Sequence, residues 1–363
     1  MTATAEKSPR AYRNASGCYL TMLLLAVSIC SFPAQATDRP QKELISQGVA
    51  LHEKGDLSGA EAKFRQALAE NPENVEALYE LGVTLVKGER WRDCVEVGKE
   101  GQKIPSDLGP SFVALTASCL DSAGEPEKAE KMFRKGLKKY GAHGPLSFNL
   151  GVTQLRLQKL EDAKGSFEDA LRFRANHPSS NFYLAIVYDN LGLRPAAILA
   201  YLRFLTVEPS SQRSHAAANA VLKLLHEGIE AESEKNINIV LPSQPSGPGK
   251  EELSTVNLTL SMLSAGRFLE KNEGKSEAAL SAEILPSFIS SVEEVSSQEQ
   301  KSDFLWEVLL PPLSDLKARQ LLEPLGYLAF SLLETPGAQE WVEANQPAVI
   351  ELEQWIRTAN LPE

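Results

Sequence analysis

The chain is poor in the residues that perform chemistry. Its 363 residues hold four cysteines and five histidines, and neither type occurs beyond residue 250. His52, His143, His177, His215 and His226 form no pair with metal-ligand spacing around a carboxylate, and none follows a nucleophile motif. A GxSxG elbow, a phosphate-cradling glycine loop and a CxxC pair are all missing. Glu293-Glu294 reads as a surface pair. The expectation is a protein that is not an enzyme, with no cofactor, metal or catalytic centre. A basic excess is also missing. The net charge is −11, so no phosphate-neutralising face is expected and nucleic acid is excluded as a partner. The apolar stretch Leu20–Phe32 is too short to span a bilayer comfortably.

What the chain does contain is divided. Residues 251–363 carry 7 Lys+Arg against 19 Asp+Glu, whereas the first 250 carry 30 against 29. At the N-terminus, Lys7, Arg10 and Arg13 precede the apolar stretch, and Ala34-Gln35-Ala36 follows as a small-x-small cleavage site. Residues 1–36 are therefore expected to be an export signal cleaved after Ala36. The alternative is an uncleaved anchor. A lipid on Cys30 is disfavoured by the bulky Ile29 before it. Cleavage leaves Cys94 and Cys119, which read as small buried core residues. One disulfide is the alternative in an oxidising compartment.

The stretch GDLSGAEAKFRQALAENP, residues 55–72, recurs. Ala60 returns as Cys94, Ala129, Ala163 and Ala197, in steps of 34 or 35 residues. Phe64 returns as Gly98, Phe133, Phe167 and Tyr201, and Gly48 as Gly82, Ala117, Gly151 and Ala185. Gly55, Gly124 and Gly192 mark a turn between two helices, and Pro72, Pro105, Pro178 and Pro209 close units. Each unit is a helical hairpin that cannot bury its apolar face alone, so neighbours must stack. The small residues permit close helix approach, and the aromatics fill the wedge towards the next unit.

This pattern resembles the tetratricopeptide repeat over residues 41–209, with a degenerate second unit. The resemblance implies an all-α solenoid of helical hairpins over residues 37–229, closed by a capping helix at 212–229 with Asn219 on its wetter side. It also implies that the first helix of each hairpin lines a concave surface. By position, that groove comprises Tyr79, Val83 and Lys87 in unit two and Ala114, Ser118 and Asp121 in unit three. Unit four contributes Phe148, Val152 and Arg156, and unit five Phe182, Ile186 and Asn190. The Asn/Lys carboxylate clamp of the family's best-known variant is missing. An aromatic row with apolar neighbours suits an apolar peptide or amphipathic helix. The competing reading makes these residues core.

Residues 230–250 read as a Pro/Gly-rich linker, in which Ile237, Ile239 and Leu241 alternate like a strand without an obvious partner. Asn257-Leu258-Thr259 matches a glycosylation acceptor. Residues 251–363 read as a separate, non-repeating, acidic helical domain with no family resemblance. Ser276, Ser314 and Thr335-Pro336 signal helix starts, and Pro286, Pro311, Pro312 and Pro324 interrupt or kink helices. Trp306, Trp341, Trp355, Phe304, Phe330 and Tyr327 supply its core. The reading is an exported, periplasmic or extracellular scaffold that binds a protein or peptide. Its rivals are a membrane-anchored structural subunit of an envelope complex and an enzyme with an unfamiliar helical C-terminal domain.

Overall fold

The computed structural model describes residues 38–233, 236–240, 251–298 and 303–359. The expected export signal, Cys30 included, and residues 241–250 of the expected linker lie outside the described residues.

Among the described residues, five hairpins stack in chain order. They pair α1 (Asp38–Glu53) with α2 (Leu57–Glu70), α3 (Val75–Lys87) with α4 (Trp91–Gly101), and α5 (Gly109–Ser122) with α6 (Pro126–Tyr140). Units four and five pair α7 (Gly144–Arg156) with α8 (Leu160–Phe173) and α9 (Pro178–Asn190) with α10 (Arg194–Val207). A lone helix, α11 (Gln212–His226), follows, and Asn219 on it is exposed. The small residues sit where helices touch: Ala60, Cys94, Ala129, Ala163 and Ala197 are all fully buried. A Cβ on Gly48 would lie 2.5 Å from the Phe64 ring, and one on Gly151 would lie 2.7 Å from Phe167. The lead helix thus yields volume to the aromatic of its own partner. In unit two the aromatic is replaced by Gly98, and Gly82 instead receives Leu115 from the next unit.

Every hairpin turns through one left-handed residue at the same register. Gly55, Gly124 and Gly192 have φ of 84°, 85° and 68°, and Glu89 and Gln158 take the same role at 55° and 58°. Glycine adopts this region without steric penalty, but Glu89 and Gln158 do so at a cost.

Cys94 and Cys119 are bridged, which corrects the expectation of two reduced core thiols. Both are buried as expected, on α4 and α5, with Cα atoms 6.2 Å apart. Stacking of adjacent units brings them within bonding reach.

Beyond α11 the chain forms a β-hairpin of β1 (Ile229–Ser233) and β2 (Asn236–Ile239), antiparallel with Ile229 opposite Ile239. The strand-like alternation therefore has a partner, supplied by the residues just before it. Helices follow as α12 (Glu251–Ala265), α13 (Glu277–Ala282), α14 (Leu285–Gln298), α15 (Leu310–Ala318), α16 (Leu322–Ser331), α17 (Ala338–Ala344) and α18 (Gln346–Ala359). Ser276 caps α13, its side chain accepting from Ala279 N. Ser314 lies inside α15, and Gly337, not Thr335, precedes α17, so those two expected starts are displaced. Pro286 and Pro324 fall in the first turns of α14 and α16, where the missing N–H has no partner to lose, whereas Pro311 and Pro312 follow a π-helical turn at Leu305–Leu309 that runs straight into α15.

These helices pack directly on the array. One core runs from Ala163 and Phe167 through α10 and α11 to Phe288, Phe330 and Leu352; a second core holds units one to three, with Leu146 and Leu150 of α7. Arg194 clamps the junction while 2% exposed. Its guanidinium donates to Leu224 O (2.6 Å) and Leu225 O (3.1 Å) at the end of α11, and to Asn257 Oδ1 (3.1 Å) and Ser261 Oγ (2.8 Å) on α12. Asn257 is thereby buried, at 1% exposed, and its side chain is no glycan acceptor in this fold. His226 adds a second bridge, with Nδ1 2.8 Å from Ser264 Oγ and Nε2 2.8 Å from Ser281 Oγ.

Candidate functional site

The groove residues expected from the repeat register all lie on the lead helices α3, α5, α7 and α9. Tyr79, Val83, Ser118, Phe148, Val152, Phe182 and Ile186 are half-buried, and Lys87, Arg156 and Asn190 are exposed. Asp121, which shares the row, is buried.

The aromatic members belong to a continuous ring network. Phe148 packs 5.9 Å from Phe167, 5.0 Å from His177 and 6.1 Å from Tyr183, between ring centroids. Phe182 lies 6.0 Å from Tyr183 and 5.0 Å from Phe204, with the Arg213 guanidinium 5.6 Å from its centroid. Tyr183 thus connects the two phenylalanines. Tyr79 stands apart, edge-on to Phe112 at 5.9 Å. The half-buried rings form both a wall of the core and a patch of surface. Rings pinned by neighbours lose little side-chain entropy when something is laid on them.

The polar members are occupied by the fold. Lys87 Nζ donates to His52 O (2.9 Å), and Arg156 Nη1 to Asp121 O (3.0 Å). Each places a cation at the carbonyl end of the preceding unit's lead helix, where the helix dipole favours it. Asn190 donates to Ile186 O of its own helix at 2.7 Å. A second layer of the same device joins His52 Nδ1 to Thr84 Oγ1 (3.0 Å) and Thr153 Oγ1 to Asp121 Oδ2 (3.2 Å). Sequence reasoning missed these ties. The signal was the exchange of one polar pair for another at matching positions two units apart.

His143 and His177 are helix N-caps: each Nδ1 accepts, from Leu146 N at 3.3 Å and from Ser180 N at 3.2 Å. Burial, then the Arg174 and Arg213 charges, hold the His177 imidazole below its usual range, so it stays neutral beside Phe148. Among the described residues, no group of three or more His, Cys, Asp or Glu could hold a metal ion. Among them, too, no helix is long and apolar enough to cross a membrane. The arrangement offers an apolar, aromatic shelf rimmed by side chains already bonded to backbone.

Residues 51–101 match the family described as Tetratricopeptide repeat. Among solved structures, the chain is similar to Pseudomonas aeruginosa pilF at 19% identity, over 52% of this chain and 84% of that one, with a TM-score of 0.46. A thermophilic TPR protein of Thermus thermophilus is similar at 25% identity, over 50% and 99% of the two chains, with a TM-score of 0.42. YrrB, described as a TPR protein with an unusual peptide-binding site, is similar at 15% identity over 51% and 97%, with a TM-score of 0.39. No curated protein matches the chain.

Proposed function

We propose, for a chain whose repeats are of the tetratricopeptide type, an exported scaffold that holds an apolar peptide or amphipathic helix of a partner protein in its concave groove. One observation carries the reading: the aromatic shelf of Phe148, Tyr183 and Phe182 is held rigid by its ring neighbours yet only half-buried. Binding energy concentrates in such anchors, at about 2 kcal/mol or more for each truncated ring. Export is favoured by the N-terminal signal pattern and by the Cys94–Cys119 bridge, a bond that persists in oxidising compartments. The division of the chain into an array at 37–229, a linker at 230–250 and an acidic helical region at 251–363 is part of the same proposal. The last region would present a second surface.

The test places a photo-crosslinking residue at Phe182 or Ile186, and at the exposed Gln66 of α2 as control, in cells of the native host. A discrete adduct from both groove positions and none from Gln66 supports the groove. Adducts from Gln66 alone move the site elsewhere. Mass spectrometry of the purified protein should begin at Thr37; an intact Met1 refutes cleaved export.

A further inference from the structure

The array carries a cleft on α6 that shares no residue with the proposed groove. At 11 residues, α4 is shorter than the 14-residue α2, α8 and α10. It ends at Gly101, whose missing side chain makes room for the Phe112 ring. The shortfall leaves a cleft of about 380 Å³ between the end of α4 and the face of α6. Val113, Met132 and Tyr140 line it with apolar surface, and Lys131, Lys135 and Lys139 rim it. The lysines follow the helical period of α6 and are exposed. Their neighbours Lys128 and Arg134 are paired, with Glu125 and with Glu130 and Asp162. Among the described residues no carboxylate forms an ion pair with Lys131, Lys135 or Lys139; Lys139 Nζ instead lies 4.7 Å from the centre of the Tyr140 ring. An apolar floor under three such cations calls for a partner that is acidic and apolar-tipped.

The chain itself carries that complement. From residue 319 to 359 stand Glu323, Glu334, Glu340, Glu343, Glu351 and Glu353 against Arg319 and Arg357, and those two pair with Asp315 and Glu353. Glu340 and Glu343 are exposed on α17, and Glu351 on the adjoining α18. Beside Glu351, Ile350 is 49% exposed, one of the few large apolar side chains left in water. Both helices pack on α16, which rests on α10 and α11, so units four and five intervene between this face and α6.

We propose that the basic cleft between α4 and α6 receives the acidic, Ile350-tipped face of α17 and α18 from a second copy of the chain. Because the two surfaces differ, the contact is head-to-tail and repeats, giving short chains of molecules or a ring. It uses neither Phe148 nor Phe182, so its failure leaves the groove reading standing, and the reverse.

The test is sedimentation velocity of the full chain across concentration and salt. Association should grow with concentration and weaken by about tenfold or more between about 0.05 and 0.5 M salt, because exposed charges are screened over a Debye length of about 10 Å at 0.1 M. Reversing the cleft (Lys131→Glu, Lys135→Glu, Lys139→Glu) should give a folded monomer by circular dichroism. Reversing the acidic face (Glu340→Lys, Glu343→Lys, Glu351→Lys) should do the same. Mixing the two reversed proteins should restore association, since each supplies the charge the other now needs. A protein that is monomeric throughout, association that survives either reversal, or a mixture that stays monomeric overturns the proposal. A wild-type monomer whose cleft lysines instead bind anionic vesicles would overturn it in favour of a lipid surface.

Discussion

Two arginines on α10 share nearly the same burial and the same depressed basicity, yet should respond oppositely to replacement. Arg194 is 2% and Arg203 3% exposed, and burial pulls both guanidinium pKa values down to about 10. Taken from 12.5, that depression corresponds to about 3 kcal/mol of lost solvation for each. The returns differ. Arg194 donates to four acceptors across α11 and α12. At roughly 1.5–3 kcal/mol for each charged bond they offset the loss about twofold or more. Arg203 donates to Thr206 Oγ1 at 2.6 Å, and its buried Nε finds no partner among the described residues. Arg194→Met should therefore destabilise by about 3 kcal/mol or more, because it also leaves buried acceptors empty. Arg203→Met should fall within about 1 kcal/mol of wild type, or above it, because an apolar chain fills the space without the solvation cost. Chemical denaturation gives both numbers, and hydrogen exchange should show α12 opening first in Arg194→Met. Equal losses in the two variants would refute the reasoning, since burial alone would then decide.

Reduction of Cys94–Cys119, or its replacement by two alanines, removes a cross-link over 25 residues of sequence. It should cost about 3.5 kcal/mol by loop-closure entropy, read as a lower melting temperature in reductant. His226 titrates near pH 4 in the fold, lowered by burial first and then by Arg267 and Arg194. Its contribution is complete above the ordinary histidine value near 6.5 and is lost as pH falls towards 4. Wild type should lose up to about 3 kcal/mol more than His226→Gln over that window in paired pH-dependent unfolding. Gln158→Gly should stabilise by about 0.5–1 kcal/mol, since it relieves a left-handed non-glycine turn, and a loss on denaturation would refute that account.

What was legible in the sequence is what the repeat states several times. A pattern written five times shows through the degeneracy of unit two, so Ala60, Ala129, Ala163 and Ala197 fall at fully buried positions. Glycine at three turns marked a conformation that Glu89 and Gln158 share silently, because side chains that tolerate the left-handed region carry no mark of it. Pairings stated once were not legible. Arg194 meets Asn257 and Ser261 across 63 and 67 residues, and no period connects them. For the same reason residues 251–359 gave helices but not their seat on the array. Lys87 read as a free groove residue because the carbonyl that holds it, His52 O, is a backbone atom common to every residue type, and Arg156 because its partner, the backbone and carboxylate of Asp121, stands 35 residues before it in the preceding unit.

The helix α7 faces two ways. Leu146 and Leu150 are bound into the core of the first three units, while Phe148 and Val152 pack against the core that continues into the C-terminal helices. The molecule's joint of cohesion therefore runs through the middle of its repeat array and not along the linker. A truncation near residue 230 strips α10 and α11 of the helices that cover them, although it looks like a clean cut in the sequence. The stapled first core and the second core meet in this one helix. A peptide laid across Phe148 and Phe182 touches rings that both pack on the second core, so occupancy of the groove would raise the melting of that core and leave the first as it was.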